Sequence, residues 1–220
     1  MEVHMEDAYF NYQPIIYQGN IRYYEALLRF KDKSIHIEQY VKQVKCKPLF
    51  DIDVINHVLS DMKLMCKENT ISINISILSL EDSDFIQYAV VNLKNKNIIL
   101  EITEHDRCEC LNTVSMNIVL LRRETGVRFA LDDCYKNGMD MLDIPIDIIK
   151  VDRAVIFDIE NDGNKLKNLE NIINEVNIIY KKEIVIEGVE NEKQASLLLT
   201  LGDFNQQGYF YFKPLDKNVL

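Results

Sequence analysis

Short apolar runs rich in Ile, Val and Leu alternate along the chain with longer amphipathic segments. The apolar runs, each of which carries or ends on an acidic or amide residue, are YFNYQPII, IRYYEALLRF, TISINIS, NIILEITE, VRFALDD, IDIIKVD and EIVIEGVE. The segments with helical spacing are FDIDVINHVLSDMKLMCK, LNTVSMNIVLLRRETG, NLENIINEVNIIYKK and EKQASLLLTLG. This alternation predicts βα units around a parallel sheet, and continuous apolar runs are typical of strands buried on both faces.

The number of these units favours a closed barrel. About seven or eight strand–helix units predict an α/β fold of the (β/α)8 type, in which the site lies at the carboxyl ends of the strands. An open doubly wound sheet is the alternative, but it would gather ligands at one switch point. The nucleotide-binding patterns GxGxxG and GxxxxGK[ST] do not occur. Because no linker rich in Pro, Gly or Ser interrupts the sequence, we expect a single domain over residues 1–220.

Acidic and amide side chains fall at the ends of the predicted strands. They are Glu25, Asn74, Glu101, Asp132, Asp133, Asp152 and Glu187. A single acid after a strand is most often a helix N-cap or a loop residue, but closing the barrel would bring all seven to one mouth. Crowded carboxylates raise one another's pKa unless cations compensate, and hard ions such as Mg²⁺ or Mn²⁺ take oxygen ligands.

This acidic set predicts a particular chemistry. Two divalent ions about 3.5–4 Å apart can clamp the attacking and leaving oxygens of a phosphoryl displacement. The adjacent Asp132 and Asp133 suit two neighbouring ions. Lys150 precedes Asp152 by two residues and therefore points to the same side of its strand. We interpret Lys150 as a charge-balancing or water-orienting group in a site for metal-assisted phosphoester hydrolysis.

The composition narrows the function classes. Hydrophobic residues make up 47% of the chain and charged residues 27%, as in soluble globular proteins, and no apolar run approaches the roughly 18 residues of a membrane span. The net charge of −10 argues against binding of DNA or RNA polymers, which requires a basic surface. The five cysteines lack the spacing of a zinc site, so we expect free thiols and a cytoplasmic location. The amino-terminal sequence MEVHMEDAYF has neither the basic nor the apolar segment of a secretory signal, so we expect none.

The sequence EALLR at residues 25–29 resembles the signature of the EAL-domain family of cyclic di-GMP phosphodiesterases. The resemblance continues in order through YQPI at 12–15, INIS at 73–76, LEITE at 100–104, ALDD at 130–133, IKVDR at 149–153, IEGVE at 186–190 and QGYFYFKP at 207–214. It implies that family's modified (β/α)8 TIM-like barrel, in which one strand runs antiparallel.

The resemblance also implies residue roles. The positions that match metal ligands of the family are Glu25, Asn74, Glu101, Asp132, Asp133, Asp152 and Glu187. The catalytic positions are Glu25, Asp133, Lys150 and Gln207, of which the last two hold the attacking water. Residues that match the grip on the dinucleotide are Gln13, Leu27, Arg29 and Lys213. Glu104 matches an acid that steadies the loop after the paired aspartates.

The activity implied by the resemblance is hydrolysis of cyclic di-GMP to linear pGpG by a two-metal mechanism with Mg²⁺ or Mn²⁺. The family's tendency to dimerise implies a homodimer. The loop after Asp133 departs from the family pattern FGTG and reads CYKN. Tyr135 and Asn137 replace glycines there, and Tyr135 does not adopt glycine-like backbone angles cheaply.

This departure leaves two interpretations open. The first is a working phosphodiesterase, slow or conditional on a partner, since every metal position is filled. The second is a weak or inactive EAL module that acts as a cyclic di-GMP sensor or binds a regulatory protein partner. A two-metal nuclease that acts on RNA or DNA is disfavoured by the charge and by the absence of a basic track.

Overall fold

Eight strands close into a barrel, and a ninth short strand lies outside it. The computed structural model describes residues 5–65, 68–103, 106–135 and 144–220. The strands are β1 (Ala8–Tyr17), β2 (Asn20–Phe30), β3 (Ile71–Ser76), β4 (Ile98–Thr103), β5 (Arg128–Cys134), β6 (Ile148–Val151), β7 (Glu183–Ile186), β8 (Asn205–Gln206) and β9 (Leu215–Asp216). Their order is β2-β3-β4-β5-β6-β7-β8-β1-β9, and pairing of β1 with β2 completes the ring.

Helices cover the outside of the barrel. They are α1 (Ile37–Gln43), α2 (Lys47–Met62), α3 (Ser83–Asn92), α4 (Leu111–Thr125), α5 (Arg153–Ile156), α6 (Gly163–Asn174) and α7 (Glu192–Leu201). A π-helical segment, Glu175–Tyr180, extends α6, and short 3₁₀ turns span Met5–Asp7, Ile77–Glu81 and Lys217–Val219. The four predicted helical segments all contain helix, whereas α1 and α3 were not predicted, although Asp82 caps α3 by accepting from the Phe85 N–H.

The antiparallel strand of the barrel is β1. It pairs antiparallel with both β2 and β8, whereas the pairings from β2 to β8 are parallel. A two-residue turn, Gln18–Gly19, joins β1 to β2 with φ of 47° and 78°. Two positive φ angles in a two-residue loop are typical of a hairpin turn that matches the twist of its strands. The expectation of a modified barrel with one antiparallel strand is therefore confirmed.

The hydrophobic core has two parts, one between the barrel and its helices and one inside the barrel. The inner layer consists of Ile15, Tyr23, Ile99, Ala130, Ile148 and Val185. Each aliphatic side chain that is fully buried in this way contributes about 1.5–3 kcal/mol to folding. Because side chains alternate between the two faces of a strand, residues two positions beyond Tyr23, Ile99 and Ile148 also face the interior. The inner layer thus forms an apolar floor below the side chains at the carboxyl ends of the strands.

Candidate active site

The predicted site residues gather at the carboxyl ends of the strands, directly above the inner layer. A cavity of about 440 Å³ opens there, lined by Gln13, Glu25, Leu27, Asp132, Asp133, Asp152, Arg153, Glu187, Gly188, Glu190, Gln207, Gly208 and Tyr209. A larger cavity of about 650 Å³ lies at the opposite end, between α2 and residues 92–97. Its lining contains none of the predicted site residues, so the chemistry of the chain is concentrated at the first cavity.

The ammonium group of Lys150 lies at the centre of four carboxylates from four different strands or strand ends. Its Nζ is 2.7 Å from Glu101 Oε2 and 2.9 Å from both Asp132 Oδ1 and Glu187 Oε1. It is 3.3 Å from Glu25 Oε2. The Lys150 side chain is only 1% exposed, so these contacts replace its hydration. Sequence reasoning placed Lys150 near the acids, and the structure places it among them.

One lysine does not offset this concentration of negative charge. Burial alone would lower the pKa of Lys150, but the carboxylates of Asp132 and Glu101 outweigh burial and raise the pKa well above its usual value. Burial raises the pKa of Glu101 to about 8 and that of Glu187 well above its usual value. Carboxyl groups with raised pKa values ionise more readily when a cation binds beside them, so this site favours the binding of additional positive charge.

Glu25 is held differently from its neighbours. Asn74 donates its side-chain amide to Glu25 Oε1 at 2.9 Å, and Gln207 donates to Oε2 at 2.8 Å. Burial opposes ionisation of Glu25, but Lys150 and these two amides outweigh it and lower the pKa of Glu25 below its usual value. The arrangement keeps a buried carboxylate charged and fixed in orientation.

The amide oxygens of the same two residues are the atoms that fit a metal ion. Asn74 Oδ1 and Gln207 Oε1 are buried and have no hydrogen-bond partner among the described residues. Buried polar atoms without partners are rare, and carbonyl-type oxygens beside carboxylates are the ligands that hard divalent cations take. In addition, Asp132, Asp133 and Glu187 each offer an oxygen within 4.8 Å of the others. The donor set therefore fits Mg²⁺ or Mn²⁺.

The adjacent Asp132 and Asp133 reach the same cavity because β5 is irregular. The register between β5 and β6 shifts by one residue between Leu131 and Cys134. In a regular strand, neighbouring side chains point to opposite faces, and an extra residue with a left-handed backbone re-aims them. Asp133 adopts φ of 48°. This bulge explains how two consecutive aspartates share one site.

Asp152 combines two roles. Its Oδ1 accepts from the Ala154 N–H at 2.6 Å and caps the short helix α5. It also lines the acidic cavity. Asp152 is therefore a helix N-cap, which is the common role of an acid after a strand, and it also belongs to the candidate site.

Of the four residues predicted to grip a dinucleotide, two line this cavity and two do not. Gln13 lines it and donates to the Phe212 carbonyl at 3.1 Å, and Leu27 also lines it. Arg29 lines a neighbouring apolar cavity of about 370 Å³ and donates to the Leu28 carbonyl. Lys213 Nζ lies 5.9 Å from the centre of the Tyr209 ring. Glu104 lies outside the described residues, so the structure gives no account of its predicted role.

Sequence reasoning missed several residues of the cavity wall, including Arg153, Gly188, Glu190 and Tyr209. Arg153 lies 3.6 Å from Glu190 as an exposed ion pair. Gly188 has φ of 72°, and a Cβ at this position would overlap the Cβ of Arg153. The glycine of IEGVE was the available signal, since a glycine within a site motif often allows close approach of another chain segment.

The second residue of the altered loop has an unfavourable backbone conformation. Tyr135 adopts φ of 68°, a region that costs a non-glycine residue about 1–2 kcal/mol. Its ring packs against the core and its hydroxyl is buried without a hydrogen-bond partner among the described residues. Residues 136–143 lie outside the described residues, including Asn137. The expected strain at Tyr135 is thus present in the structure.

Comparison with known proteins points to one family. The sequence profile of the EAL domain matches residues 2–214. The chain is 28% identical over 203 residues to the "Cyclic di-GMP phosphodiesterase TpdA" of Vibrio parahaemolyticus, with 88% of this chain and 34% of that protein covered. It therefore spans about a third of the length of that curated relative.

Solved structures share the fold. The phosphodiesterase PaMucR in complex with cyclic di-GMP superimposes with a TM-score of 0.83 at 23% identity, over 97% of this chain and all of that one. A standalone EAL protein of Vibrio cholerae O395 bound to cyclic di-GMP gives a TM-score of 0.77 at 24% identity, over 96% and 93% of the two chains. Within the described part of this chain, no helix combines the length and the apolar character of a membrane span.

Proposed function

The chain belongs to the EAL domain family, and from this premise we propose that it is a metal-dependent phosphodiesterase that hydrolyses cyclic di-GMP to linear pGpG. The observation that carries the proposal is the ring of four carboxylates around Lys150, bordered by the buried amide oxygens of Asn74 and Gln207. Relatives named cyclic di-GMP phosphodiesterases support the choice of substrate.

Two divalent ions supply charge neutralisation and activation of water in such a reaction. The residues that would hold them are Glu25, Asn74, Glu101, Asp132, Asp133, Asp152 and Glu187. Either Mg²⁺ or Mn²⁺ suits these oxygen donors. The identity of the ion is part of the proposal and is tested by adding each metal to protein treated with a chelator.

The residues of the chain would orient the reactants and move one proton. Asn74 and Gln207 fix both oxygens of Glu25, and Lys150 fixes Glu101. Asp133 lines the cavity beside Asp132 and would accept a proton from the attacking water, while the departing ester oxygen takes up a proton from solvent. Arg29 would bind a phosphate through its guanidinium group, and Gln13, Leu27 and Lys213 would position the bases.

The direct test is to incubate the purified chain with cyclic di-GMP and Mg²⁺ or Mn²⁺ and to separate the products by chromatography. We expect pGpG in the presence of metal and none with a chelator. Glu25→Ala should abolish turnover. If the wild type binds cyclic di-GMP tightly and forms no pGpG with either metal, the hydrolase proposal is wrong.

A second candidate function is that of a cyclic di-GMP sensor or a protein-interaction regulator, and the strain at Tyr135 favours it. A strained residue two positions after Asp133 joins the candidate site to the adjoining loop, as in switch regions. Binding of cyclic di-GMP without turnover would support the sensor, and absence of binding would support a purely protein-directed role. The proposal also includes a homodimer, which light scattering with and without cyclic di-GMP would test.

A further inference from the structure

Tyr23 brings a polar group into the apolar floor of the barrel. It lies on β2 two residues before Glu25, and its ring is 3% exposed. The other members of the inner layer, Ile15, Ile99, Ala130, Ile148 and Val185, have no polar side-chain atoms. A phenylalanine would fill the same volume, so the hydroxyl group needs its own explanation.

Two buried polar atoms in this region have no hydrogen-bond partner among the described residues. One is the Tyr23 hydroxyl and the other is Glu101 Oε1. Glu101 contacts Lys150 only through its other oxygen, Oε2, at 2.7 Å. Tyr23 packs in the inner layer together with Ile99, and Glu101 lies two residues beyond Ile99 on the same face of β4. The barrel thus places a phenol donor in the layer next to a carboxylate oxygen that lacks a donor.

We propose that Tyr23 is a positioning residue for Glu101 and that its hydroxyl donates to Glu101 Oε1 through one buried water molecule. A water in an enclosed polar space satisfies buried groups that do not reach each other directly. The water accepts from Tyr23 and donates to Glu101, so each group finds a partner of the required type. Glu101 is then held from two directions, by Lys150 at Oε2 and by Tyr23 at Oε1.

This arrangement matters for metal binding because partners behind a ligand fix its orientation. Loss of such a partner typically lowers metal affinity by about 10–100-fold. Asn205 Oδ1, on β8, is another buried oxygen without a partner among the described residues, and it is the alternative acceptor that the test must exclude. The inference rests on the proposed function only in taking Glu101 as a metal ligand, and it does not require turnover.

The test is a calorimetric titration of the metal-free full chain with Mn²⁺, which measures the Mn²⁺ affinity. Tyr23→Phe keeps the ring and removes the hydroxyl, and Tyr23→Met removes it in a different apolar shape. The matched control is Tyr24→Phe, the same change one residue along on the opposite face of β2. We expect about a tenfold weaker Mn²⁺ affinity in both Tyr23 variants and an unchanged affinity in the control. Melting temperatures without metal establish that the variants are folded.

The second arm repeats Tyr23→Phe in a Glu101→Gln background. If Tyr23 acts through Glu101, its effect on Mn²⁺ affinity should shrink in this background, because coupled residues are not additive. An undiminished effect would overturn the assignment to Glu101 and favour Asn205. Wild-type Mn²⁺ affinity in folded Tyr23→Phe would overturn the inference altogether and leave Tyr23 as a space-filling residue.

The same titration separates this inference from the proposed function. A wild type that binds Mn²⁺ but does not hydrolyse cyclic di-GMP would overturn the hydrolase and leave the role of Tyr23 standing. A wild type that binds neither Mn²⁺ nor Mg²⁺ would overturn both. Equal affinities in wild type and Tyr23→Phe, together with normal turnover, would overturn only the inference.

Discussion

Gln207 donates its side-chain amide to Oε2 of Glu25 over 2.8 Å, although 182 positions separate the two residues in the sequence. Glu25 lies on β2, Gln207 follows β8, and β1 runs between these two strands. The hydrogen bond therefore spans the closure of the barrel. The candidate site is complete only when the first and last parts of the ring have come together.

We expect Gln207→Ala to lower Mn²⁺ affinity and turnover about tenfold or more, because it removes a partner that orients a metal ligand. It also removes a hydrogen bond to a buried carboxylate and leaves Lys150, 3.3 Å away, as the remaining described donor to Glu25 Oε2, which costs about 1–3 kcal/mol. Calorimetric titration and urea unfolding measure the two effects. Gln87→Ala, on the exposed face of α3, is the control and should change neither. Wild-type metal affinity in Gln207→Ala would contradict the expected role.

The stability of the protein should depend on pH through Asp51, which lines the same cavity as Arg29. Asp51 Oδ2 accepts from the Ser76 N–H at 2.8 Å and from Ser79 Oγ at 2.5 Å. Burial nonetheless raises its pKa from 3.8 to about 7. The folded state therefore binds this proton more tightly than the unfolded state, so the stabilisation is complete below about pH 4 and is lost as pH rises to about 7.

Asp51→Asn should remove this dependence. Between pH 4 and 7, its free energy of unfolding should fall less steeply than that of the wild type, with a difference on the order of a few kcal/mol across the window. Urea unfolding at several pH values measures the slopes. Asp53→Asn, an exposed position of the same helix, is the matched control and should follow the wild type. Parallel slopes for wild type and Asp51→Asn would show that Asp51 ionises normally.

The strain at Tyr135 can be separated from the packing of its ring. Tyr135→Gly and Tyr135→Ala both remove the ring, but only glycine accepts φ of 68° without cost. We expect the glycine variant to be more stable than the alanine variant by about 1–2 kcal/mol in urea unfolding. If the strained loop limits turnover, the glycine variant should also be faster than the alanine variant. Equal stability of the two would mean that the backbone relaxes at this position.

Gly188 and Gly19 offer a matched pair for the wall of the cavity. Both have positive φ, 72° and 78°, but only at Gly188 would a Cβ meet another residue, Arg153. Gly19→Ala should therefore lower the free energy of unfolding by about 1 kcal/mol, only because alanine disfavours a positive φ. Gly188→Ala should lose more and should raise the KM for cyclic di-GMP, because Arg153 must leave its place in the wall. An unchanged KM would show that the position of Arg153 does not matter to the substrate.

The sequence predicted the ring of acids because the ends of parallel strands meet at one mouth. Glu25, Asn74 and Glu101 follow from that rule, since each lies on a regular strand. Asp133 does not, because its direction depends on a bulge whose extra residue no apolar pattern marks. Strand β8 has only two residues, Asn205–Gln206, which is too short to leave a periodic signal.

The inside of the barrel was also beyond sequence reasoning. When both faces of a strand are apolar, alternation does not tell which residues point inward. Tyr23 could equally have faced the helices, and only the closed ring places it in the inner layer of the barrel. The approach of Gly188 to Arg153 likewise depends on how two loops meet, which is a tertiary property.

The inner layer, which includes Ile15, Ile99, Ile148 and Val185, determines how ligands reach and leave the acidic cavity. A barrel filled in this way has a packed interior and is not a pore. The acidic cavity therefore opens to solvent at the carboxyl ends of the strands and does not continue through the barrel. In the proposed reaction, substrate, ions and product would all pass through the same opening. Slowly released pGpG would then block the next cyclic di-GMP, and added pGpG is expected to inhibit turnover competitively.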